Sequence, residues 1–492
     1  MQKEKMNKKN KGITLIALII TIIVMLILVG VTVTVALNGG LFATAKQATN
    51  GTQIAQQNEE QLSNGEIEVE GISYDSIQDY LERDNELGVD LNYYSDAITA
   101  INVINNSDYE ENEQMTTKDE ASVGLYIDEN DIPNLVILKD TTLDTTLEPS
   151  SDMILNLGGK TLTFNNENSI KVTSCDITID GSINGSKMII SNEDKKTTLA
   201  QVNNGSLTLN GGIYETTSKN VGTETEPNAS ILVGDNGNLT VNNANIAAED
   251  IGDGTVVGIL VEAGGSAVVS NSDIEASAFN SLGNDGIRNK GTMTLNNTNV
   301  SGYANYTANA AGTAYATNSR GINNEGIMTL KNCNVYGAHS GIRSPGTLYI
   351  DGGIYEGYGH GGIYFAGGNT TSYVKNATIR FTDMKVGYAD SVAGTNSAGF
   401  YIGGANQIIV YMDNCELYGP RYPAVLRSSG GESNNALYIS NSDVNTGEGI
   451  YLRNDGSTNK IYIGIGNNFN AEDDAQGAEE TDVDYSTLFP NY

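Results

Sequence analysis

The sequence predicts an all-β chain whose main domain is a parallel β-helix, a solenoid in which the short strands of successive coils stack on one another. A six-residue pattern recurs ten times between residues 172 and 444, with a mean of about 30 residues between successive copies. A second apolar segment with neighbouring glycines, such as GILVEAG or GIRNKG, precedes most copies. This period, with two or three short strands per coil, is typical of a β-helix.

The six-residue pattern, of which LKNCNV (330–335) is one copy, describes a bend between two strands. Its first residue is apolar and its sixth is apolar or Tyr, so both can point into the interior. The fourth residue is always small or Cys, which suits a bend close to the core. The third is Asn in seven copies, and Asn tolerates left-handed backbone and can bond from coil to coil. The predicted ladder comprises Asn243, Asn271, Asn297, Asn332, Asn376, Asn414 and Asn441.

The repeat resembles the right-handed parallel β-helix of the pectate-lyase-like superfamily, including its asparagine ladders. The resemblance covers about 350 residues and implies about 11–13 coils over residues 121–470, followed by an acidic tail at 471–492. A string of Ig-like sandwiches would need a domain boundary every 100 residues or so, and a propeller would need more strands per repeat. Because the same fold serves lyases, hydrolases, phage spikes and adhesins, it implies no single function.

The first residues predict a membrane segment. Lysines at 3, 5, 8, 9 and 11 precede an almost wholly apolar run at 13–37, and residues 12–45 carry no charged side chain. About 25 helical residues span roughly 37 Å, enough to cross a bilayer core of about 30 Å. The basic flank predicts a single-pass protein with a cytoplasmic N-terminus and an extracellular β-helix. A cleaved secretory signal is the alternative, although its apolar region is usually shorter.

The string KGITLIALIITIIVMLILVGV resembles the N-terminal segment of type IV pilins and pseudopilins. In that family a prepilin peptidase removes a short basic leader after a Gly. Carried over, the cut falls between Gly12 and Ile13, which makes 1–12 the leader and 13–63 the pilin-like helix. Ala17 stands where the family usually has Glu, whose carboxylate pairs with a neighbouring subunit during filament assembly. An uncleaved anchor helix is the alternative interpretation.

Residues 64–120 are predicted to be a spacer with short helices. The stretch ISYDSIQDYLERDNEL places Ile72, Ile77, Tyr80 and Leu81 at helical spacing. A second helix is expected in SDAITAINVI, with Ser95 or Asp96 as its N-cap.

Stacking the second strands of the coils predicts a candidate ligand-binding surface. Alignment on their isoleucines brings Arg288, Asn323, Arg343 and Tyr364 together on the outside, and His339 and His360 stack one coil apart. The candidate ligand-binding residues are therefore His339, His360, Arg288, Arg343 and Tyr364. A solvated polar strand face, a carbohydrate-contacting surface and a catalytic site all remain open for this group. Lys290 and Glu325 are expected to form a charge pair between coils.

Composition excludes several functions. A formal charge of −33 argues against nucleic-acid binding. Three Cys without a CxxC motif and two His give little basis for a zinc site, a disulfide scaffold or an iron–sulfur cluster, so no metal or cofactor is expected. Cys175, Cys333 and Cys415 fall in one predicted column, several coils apart, and are expected to be buried free thiols.

No orderly column of carboxylates accompanies the arginines, so no catalytic residue is assigned and the sequence leans away from an enzyme. The leading hypothesis is a membrane-anchored, surface-displayed bacterial β-helix. It would act as an adhesin or as a structural, pilin-like component, in contact with the lipid bilayer and with an extracellular glycan or surface protein. The alternative is a polysaccharide lyase or glycoside hydrolase tethered to the envelope.

Overall fold

The structure is a computed structural model, and it divides the chain into two compact units, Met1–Asp90 and Leu91–Tyr492. It describes residues 67–69, 72–74, 91–106, 115–278, 283–304, 319–357, 361–381, 398–403, 407–419, 422–427, 433–446, 452–469 and 478–490. The predicted leader and membrane helix, with Gly12 and Ile13, lie outside these residues. No helix within the described ranges has the length and apolar character needed to cross a bilayer.

In the first unit, the described residues form one antiparallel pair of strands, Ile67–Val69 and Ile72–Tyr74. The helix predicted to begin near Ile72 is therefore wrong at residues 72–74. The sequence EIEVEGISY alternates apolar and polar residues with a period of two, and that period favours a strand over a helix.

The second unit is built from coils that each contribute strands to three faces, in the chain order face 1, face 2, face 3. Faces 1 and 2 belong to a sheet of 27 strands, and face 3 is a separate sheet of 11 strands. The strands of face 1 are Pro133–Ile137, Met153–Asn156, Asp176–Gly181, Ser206–Gly211, Asn238–Asn242, Ser266–Ser270, Thr292–Asn296, the first halves of Ile327–Gly337 and Thr347–Gly357, then Thr370–Lys375, Ile408–Asp413, Ala436–Ser440, Lys460–Ile463 and Ala478–Glu480.

Face 2 follows face 1 around a tight corner, and face 3 follows face 2 through longer loops. The strands of face 2 are Thr141–Leu143, Thr161–Phe164, Lys187–Asn192, Ile213–Ser218, Asn245–Asp250, Asp273–Ala278, Asn299–Ala304, the second halves of Ile327–Gly337 and Thr347–Gly357, then Thr378–Phe381, Glu416–Gly419, Asp443–Thr446 and Asn468–Phe469. The strands of face 3 are Asn168–Thr173, Thr198–Asn203, Asn228–Val233, Val256–Val261, Asp285–Asn289, Arg320–Asn324, Ser340–Ser344, Gly361–Phe365, Ala398–Ile402, Tyr422–Leu426 and Leu452–Asn454.

Neighbouring coils pair in parallel, and equivalent apolar residues stack in inward columns. Leu209 pairs with Val241, Val241 with Val269, and Val269 with Leu295. These residues are at most 1 % exposed and belong to a single continuous core. The register confirms the predicted all-β class and fits a parallel β-helix.

Nine of the ten copies of the repeat share the corner between faces 1 and 2, and VTSCDI (172–177) is the exception. Val172 pairs with Val202 of face 3, and Ile179 is the residue that aligns with Leu209. Ser174 has a left-handed φ of 62°, as do the asparagines of the other corner, so the six-residue pattern does not separate the two bends. Cys175 therefore lies outside the column of Cys333 and Cys415, although all three thiols are buried and free.

Both ends of the described solenoid carry additional elements. At the N-terminal end, Asn92–Tyr94 pairs antiparallel with Val123–Ile127, which pairs antiparallel with Pro133–Ile137. The helix Ala97–Asn106 begins at its predicted cap, where the Thr99 N–H donates to Asp96 at 2.9 Å. Part of the predicted spacer thus belongs to the β-helix unit.

At the C-terminal end, Ala478–Glu480 pairs with Lys460–Ile463, and a 3₁₀-helix follows at Tyr485–Leu488. Tyr485 is buried, so the described part of the predicted acidic tail packs against the β-helix.

Candidate functional site

Face 3 differs from the other two faces because its strands are covered on both sides. In faces 1 and 2 buried and partly exposed residues alternate, whereas Val256–Val261 and Asp285–Asn289 are buried at every position. Along the outer side of face 3, an apolar group is followed by charged residues and then by an aromatic group. The apolar group is Ala229, Leu232, Val257 and Leu260, and the aromatic group contains Tyr364, Ala398, Tyr401, Tyr422 and Val425.

The charged part of face 3 contains the predicted binding residues. Arg288 pairs in register with Asn323, Asn323 with Arg343, and Arg343 with Tyr364. Tyr401 continues this outer column. After it the column passes through Val425 and Arg453.

These residues line a cleft of about 760 Å³, which we call the arginine cleft. Four cationic side chains and two carboxylates form its lining, in a chain whose net charge is −33. Of the predicted histidines, His339 lines the cleft and His360 lies outside the described residues. The full lining is Glu224, Thr225, Arg288, Lys290, Arg320, Asn323, Glu325, His339, Arg343 and Tyr364.

Two residues that the sequence analysis did not single out support this site: Arg320, which lines the arginine cleft, and Asp285, which is buried against two of its arginines. Asp285 is fully buried; Arg288 Nε lies 2.7 Å and Arg320 Nη1 3.4 Å from its carboxylate oxygens. A buried carboxylate requires such cationic partners. Burial raises the pKa of Asp285 above its ordinary value, and the charges of Arg320 and Arg288 oppose this effect. In the sequence, these two residues could have been found as the charged residues that directly precede Gly-Ile, in DGIR and RGIN.

The loop 219–227 lies over face 3 and adds a second acidic residue that contacts the arginines. Glu224 Oε1 lies 3.2 Å from Arg320 Nη2, and Arg288 Nη1 donates to the Glu224 carbonyl at 2.5 Å. The Glu224 side chain is still 54 % exposed. Its position along the chain, 64 residues before Arg288, explains why no local sequence pattern revealed it.

Asp250 holds the start of this loop in place. It is 1 % exposed and lies at the end of a face 2 strand. Its carboxylate accepts five hydrogen bonds of 2.9–3.2 Å, from Ser218 Oγ and the backbone N–H groups of Asn220, Val221, Gly252 and Gly254. One buried carboxylate therefore organises two adjacent loops beside the arginine cleft.

Among the described residues, Arg343 is the cation of the cleft that has no carboxylate within salt-bridge distance. Its Nη1 donates to Asn323 Oδ1 at 3.0 Å, and it forms no salt bridge among the described residues. Burial lowers the pKa of Arg343, and the nearby charge of Arg320 lowers it further, while Tyr364, Glu325 and Asp285 act in the opposite direction. A partly buried guanidinium whose donors are not taken up by a salt bridge with the described carboxylates favours an anionic ligand.

Lys290 forms its salt bridge with Glu262 and not with Glu325, contrary to the prediction. Its Nζ lies 2.9 Å from Glu262, in the preceding coil. Glu325 instead accepts a hydrogen bond from Asn323 Nδ2 at 3.3 Å.

All seven asparagines of the predicted ladder have left-handed backbone, with φ between 47° and 56°. Six of their side chains are exposed and that of Asn441 is half-buried, so they lie toward the outside of the corner. Direct amide bonds join Asn297 to Asn271 at 3.3 Å and Asn414 to Asn376 at 2.8 Å. In this row, Asn376 and Asn441 donate to the carboxylates of Asp351 and Asp413.

A buried polar ladder lies at a different corner, between faces 3 and 1. Asn289 Nδ2 donates to Asn324 Oδ1 at 2.8 Å, and Asn324 Nδ2 donates to Ser344 Oγ at 3.0 Å and to the Thr347 carbonyl at 2.9 Å. All three ladder residues, Asn289, Asn324 and Ser344, are fully buried. Their sequence signal was the polar residue after each second-strand Ile segment, in GIRNKG, GINNEG and GIRSPG.

No protein-family model, no curated protein and no solved structure matches this chain. Within the described ranges, no group of three or more His, Cys, Asp and Glu residues is placed to hold a metal ion. The fold and the arginine cleft therefore provide the basis for a function.

Proposed function

We propose that this chain is a membrane-anchored, surface-displayed bacterial protein that binds acidic glycans in the arginine cleft. In this proposal its β-helix is right-handed and of the pectate-lyase-like type. The protein acts as an adhesin or as a structural, pilin-like surface component. The observation that carries the proposal is the partly buried guanidinium of Arg343, which faces the cleft and forms no salt bridge with any residue that the structure describes.

The chemistry of the arginine cleft suits a sugar carboxylate. A guanidinium can bind a carboxylate through two parallel hydrogen bonds, and such charge-assisted bonds are stronger than neutral ones. Tyr364, in register with Arg343, adds an aromatic side chain to the same wall. Because the chain as a whole is strongly acidic, long-range attraction does not favour polyanions, and their binding depends on this local group.

Calorimetric titration with polygalacturonate and alginate oligosaccharides tests the proposal. Arg343→Gln should weaken binding about tenfold or more, since a charge-assisted hydrogen bond contributes about 1.5–3 kcal/mol. Lys171→Gln is the matched control, because Lys171 lies six coils before Arg343 in the same outer column and outside the cleft. Absence of binding by the native chain, or equal affinity in the Arg343 variant, would refute an acidic-glycan site in this cleft.

A polysaccharide lyase or hydrolase is the second candidate, because the cleft combines Arg343 with the titratable groups of His339, Glu224 and Glu325. Prolonged incubation with polygalacturonate, followed by measurement of unsaturated products and of new reducing ends, separates the two functions. Products that disappear with Arg343→Gln would favour the enzyme. Substrate that is bound and recovered intact would favour the adhesin.

The membrane part of the proposal rests on residues 1–63 of the sequence. In a host with a prepilin peptidase, N-terminal sequencing of the membrane fraction should begin at Ile13. An intact Met1 would leave the uncleaved anchor, and recovery of the chain in the soluble fraction would contradict both forms.

A further inference from the structure

A second groove, of about 540 Å³, lies on the outer side of face 2. Its floor consists of outward-pointing residues from five successive coils. These coils contribute Asp273 and Glu275, then Asn299, Ser301 and Tyr303, then Asn334 and Tyr336, then Ile354 and Glu356, and finally Arg380. The groove shares no residue with the arginine cleft, which lies on face 3.

Two tyrosines form the aromatic wall of this groove. The ring centroids of Tyr303 and Tyr336 are 5.3 Å apart and the rings are tilted by 36°. Both side chains are half-buried, so part of each ring lines the groove. Burial, with smaller contributions from Tyr303 and Glu356, raises the pKa of Tyr336 to about 12. Its hydroxyl therefore remains protonated at neutral pH and can donate a hydrogen bond.

A row of amide and carboxylate groups runs alongside the tyrosines on the same outer surface. Asn299 Nδ2 donates to Asp273 at 2.6 Å, and Asn334 Nδ2 donates to Asn299 at 2.9 Å. These bonds fix the side chains of three successive coils at the strand spacing of about 4.8 Å. Arg380 pairs with Glu356 at the C-terminal end of the groove. The lining thus carries three carboxylates and one cation, a net charge of about −2.

We propose that this groove is a second binding site, which takes an uncharged saccharide chain. Aromatic rings provide apolar contact for the C–H surface of a sugar, and the row of fixed amides and carboxylates provides hydrogen-bond partners for its hydroxyl groups. The net negative lining disfavours the acidic glycans assigned to the arginine cleft. The proposal does not depend on that cleft, because the two sites use different faces and different residues.

The test uses the full chain and two uncharged probes, cellohexaose and chitohexaose, in calorimetric titrations. At least one probe should bind, and Tyr336→Ala should weaken its binding at least fivefold. Ser301→Trp, which fills the groove between Glu275 and Tyr336 in the same column, should have a similar effect. Tyr418→Ala is the matched control, because Tyr418 follows Arg380 in this column but lies outside the groove.

Arg343→Gln distinguishes this site from the arginine cleft, since it should leave the affinity for the uncharged probe unchanged. Failure of both probes to bind would overturn the groove proposal and leave the acidic-glycan proposal intact. Loss of probe binding in Arg343→Gln, with normal binding in Tyr336→Ala, would also overturn it, because the probe would then occupy the arginine cleft. Unchanged urea midpoints for the variants show that the differences come from the site.

Discussion

Glu224 places a carboxylate of the chain itself in the arginine cleft, on Arg320, in the same cleft as the Arg343 that is proposed to bind a glycan carboxylate. Its oxygen lies 3.2 Å from Arg320 Nη2, yet its side chain is more than half exposed. Arg320 is buried in this pair, but solvent reaches the Glu224 carboxylate and weakens its hold on the arginine. An incoming carboxylate can therefore compete with Glu224 at little energetic cost.

Glu224→Gln should raise the affinity for polygalacturonate oligosaccharides about three- to tenfold, because the variant removes the competing charge. Titration calorimetry at low and moderate salt provides the measurement. Glu226→Gln is the control, since Glu226 lies in the same loop but pairs with Lys196 and does not line the cleft. Weaker binding in Glu224→Gln would show that Glu224 contacts the ligand instead of competing with it.

Asparagines of this chain have different roles according to which side of a corner they occupy. Asn324 is fully buried and bonded to three partners, so Asn324→Ala leaves the Thr347 carbonyl and Asn289 without their bonds. We expect a loss of about 1–3 kcal/mol in the free energy of unfolding. Asn332 is exposed with a φ of 52°, a conformation that Gly adopts freely, so Asn332→Gly should cost less than about 0.5 kcal/mol.

Urea melts of the two variants compare these values directly. A larger loss for Asn332→Gly would mean that the exposed row carries the stability of the corner. Asn299, at the fifth position of its repeat, does not serve as a neutral reference for these variants. The structure joins its side chain to both Asp273 and Asn334.

At the scale of strands and corners, the repeat predicted faces 1 and 2 because each of their strands buries alternate residues, a local pattern. That local pattern could not predict two features of the fold. The bend at Ser174 has the same left-handed residue between apolar neighbours but joins face 3 to face 1. The burial of both sides of face 3 depends on loops that fold back from distant positions, as Glu224 does toward Arg288.

The C-terminal segment packs across an aromatic ladder on the outside of face 1. The stacked rings have centroids 4.6–5.7 Å apart, and they belong to Tyr349, Tyr373, Tyr411, Tyr438 and Tyr462. Stacking covers the ring faces of neighbouring tyrosines. Aromatic residues of the C-terminal segment therefore contact this ladder from the side. Tyr485 and Phe489 do so in T-shaped contacts with Tyr438 and Tyr373.

Acid should release this segment. Hydrogen bonds from the side chain and backbone of Ser486 lower the pKa of Asp484, which caps the 3₁₀-helix. A carboxylate with a lowered folded pKa stabilises the folded form above the ordinary Asp pKa of about 3.9, and this stabilisation is lost as the pH falls through the lower folded value. Proteolysis by pepsin between pH 4 and pH 2 should therefore cleave near residues 484–490 before it cleaves the coils.

Asp484→Asn is the control for this prediction, because it removes the titrating group while it retains an oxygen that can accept a hydrogen bond. Its C-terminal cleavage should depend less on pH than that of the native chain. The same pH profile in both proteins would show that another group controls the release.

At the scale of the whole molecule, the sequence predicted a stack of coils and brought Arg288, Arg343 and Tyr364 into one column. That was possible because a one-coil register relates residues about one period apart. Asp285 and Arg320 complete the arginine cleft from the neighbouring outer column, and Glu224 does so from a loop, so no single column contains the site. The second unit begins at Leu91, before the predicted start of the β-helix at residue 121. The repeat could not reveal this, because the first strand of the unit, Asn92–Tyr94, pairs antiparallel and belongs to no coil.

The N-terminal elements should be needed to close the solenoid. Without residues 91–120, the strand Val123–Ile127 would lose its pairing with Asn92–Tyr94. That side of the strand would become an exposed edge, and unpaired edges promote aggregation. The burial of Tyr94, Ile101 and Ile104 would also be lost. At about 1.5–3 kcal/mol for each large apolar side chain, an upper estimate of the total is about 5–9 kcal/mol.

A fragment of residues 121–492 should therefore unfold at a lower urea concentration than a fragment of residues 91–492, and it should form soluble aggregates that light scattering detects. Ile101→Ala in the longer fragment is a milder form of the same change, because Ile101 is 4 % exposed in the main core. It should cost about 2–4 kcal/mol, as large-to-small core substitutions do. Equal midpoints for the two fragments, with no aggregation of the shorter one, would mean that the coils from residue 121 onward close their own core and that the helix Ala97–Asn106 is an accessory element.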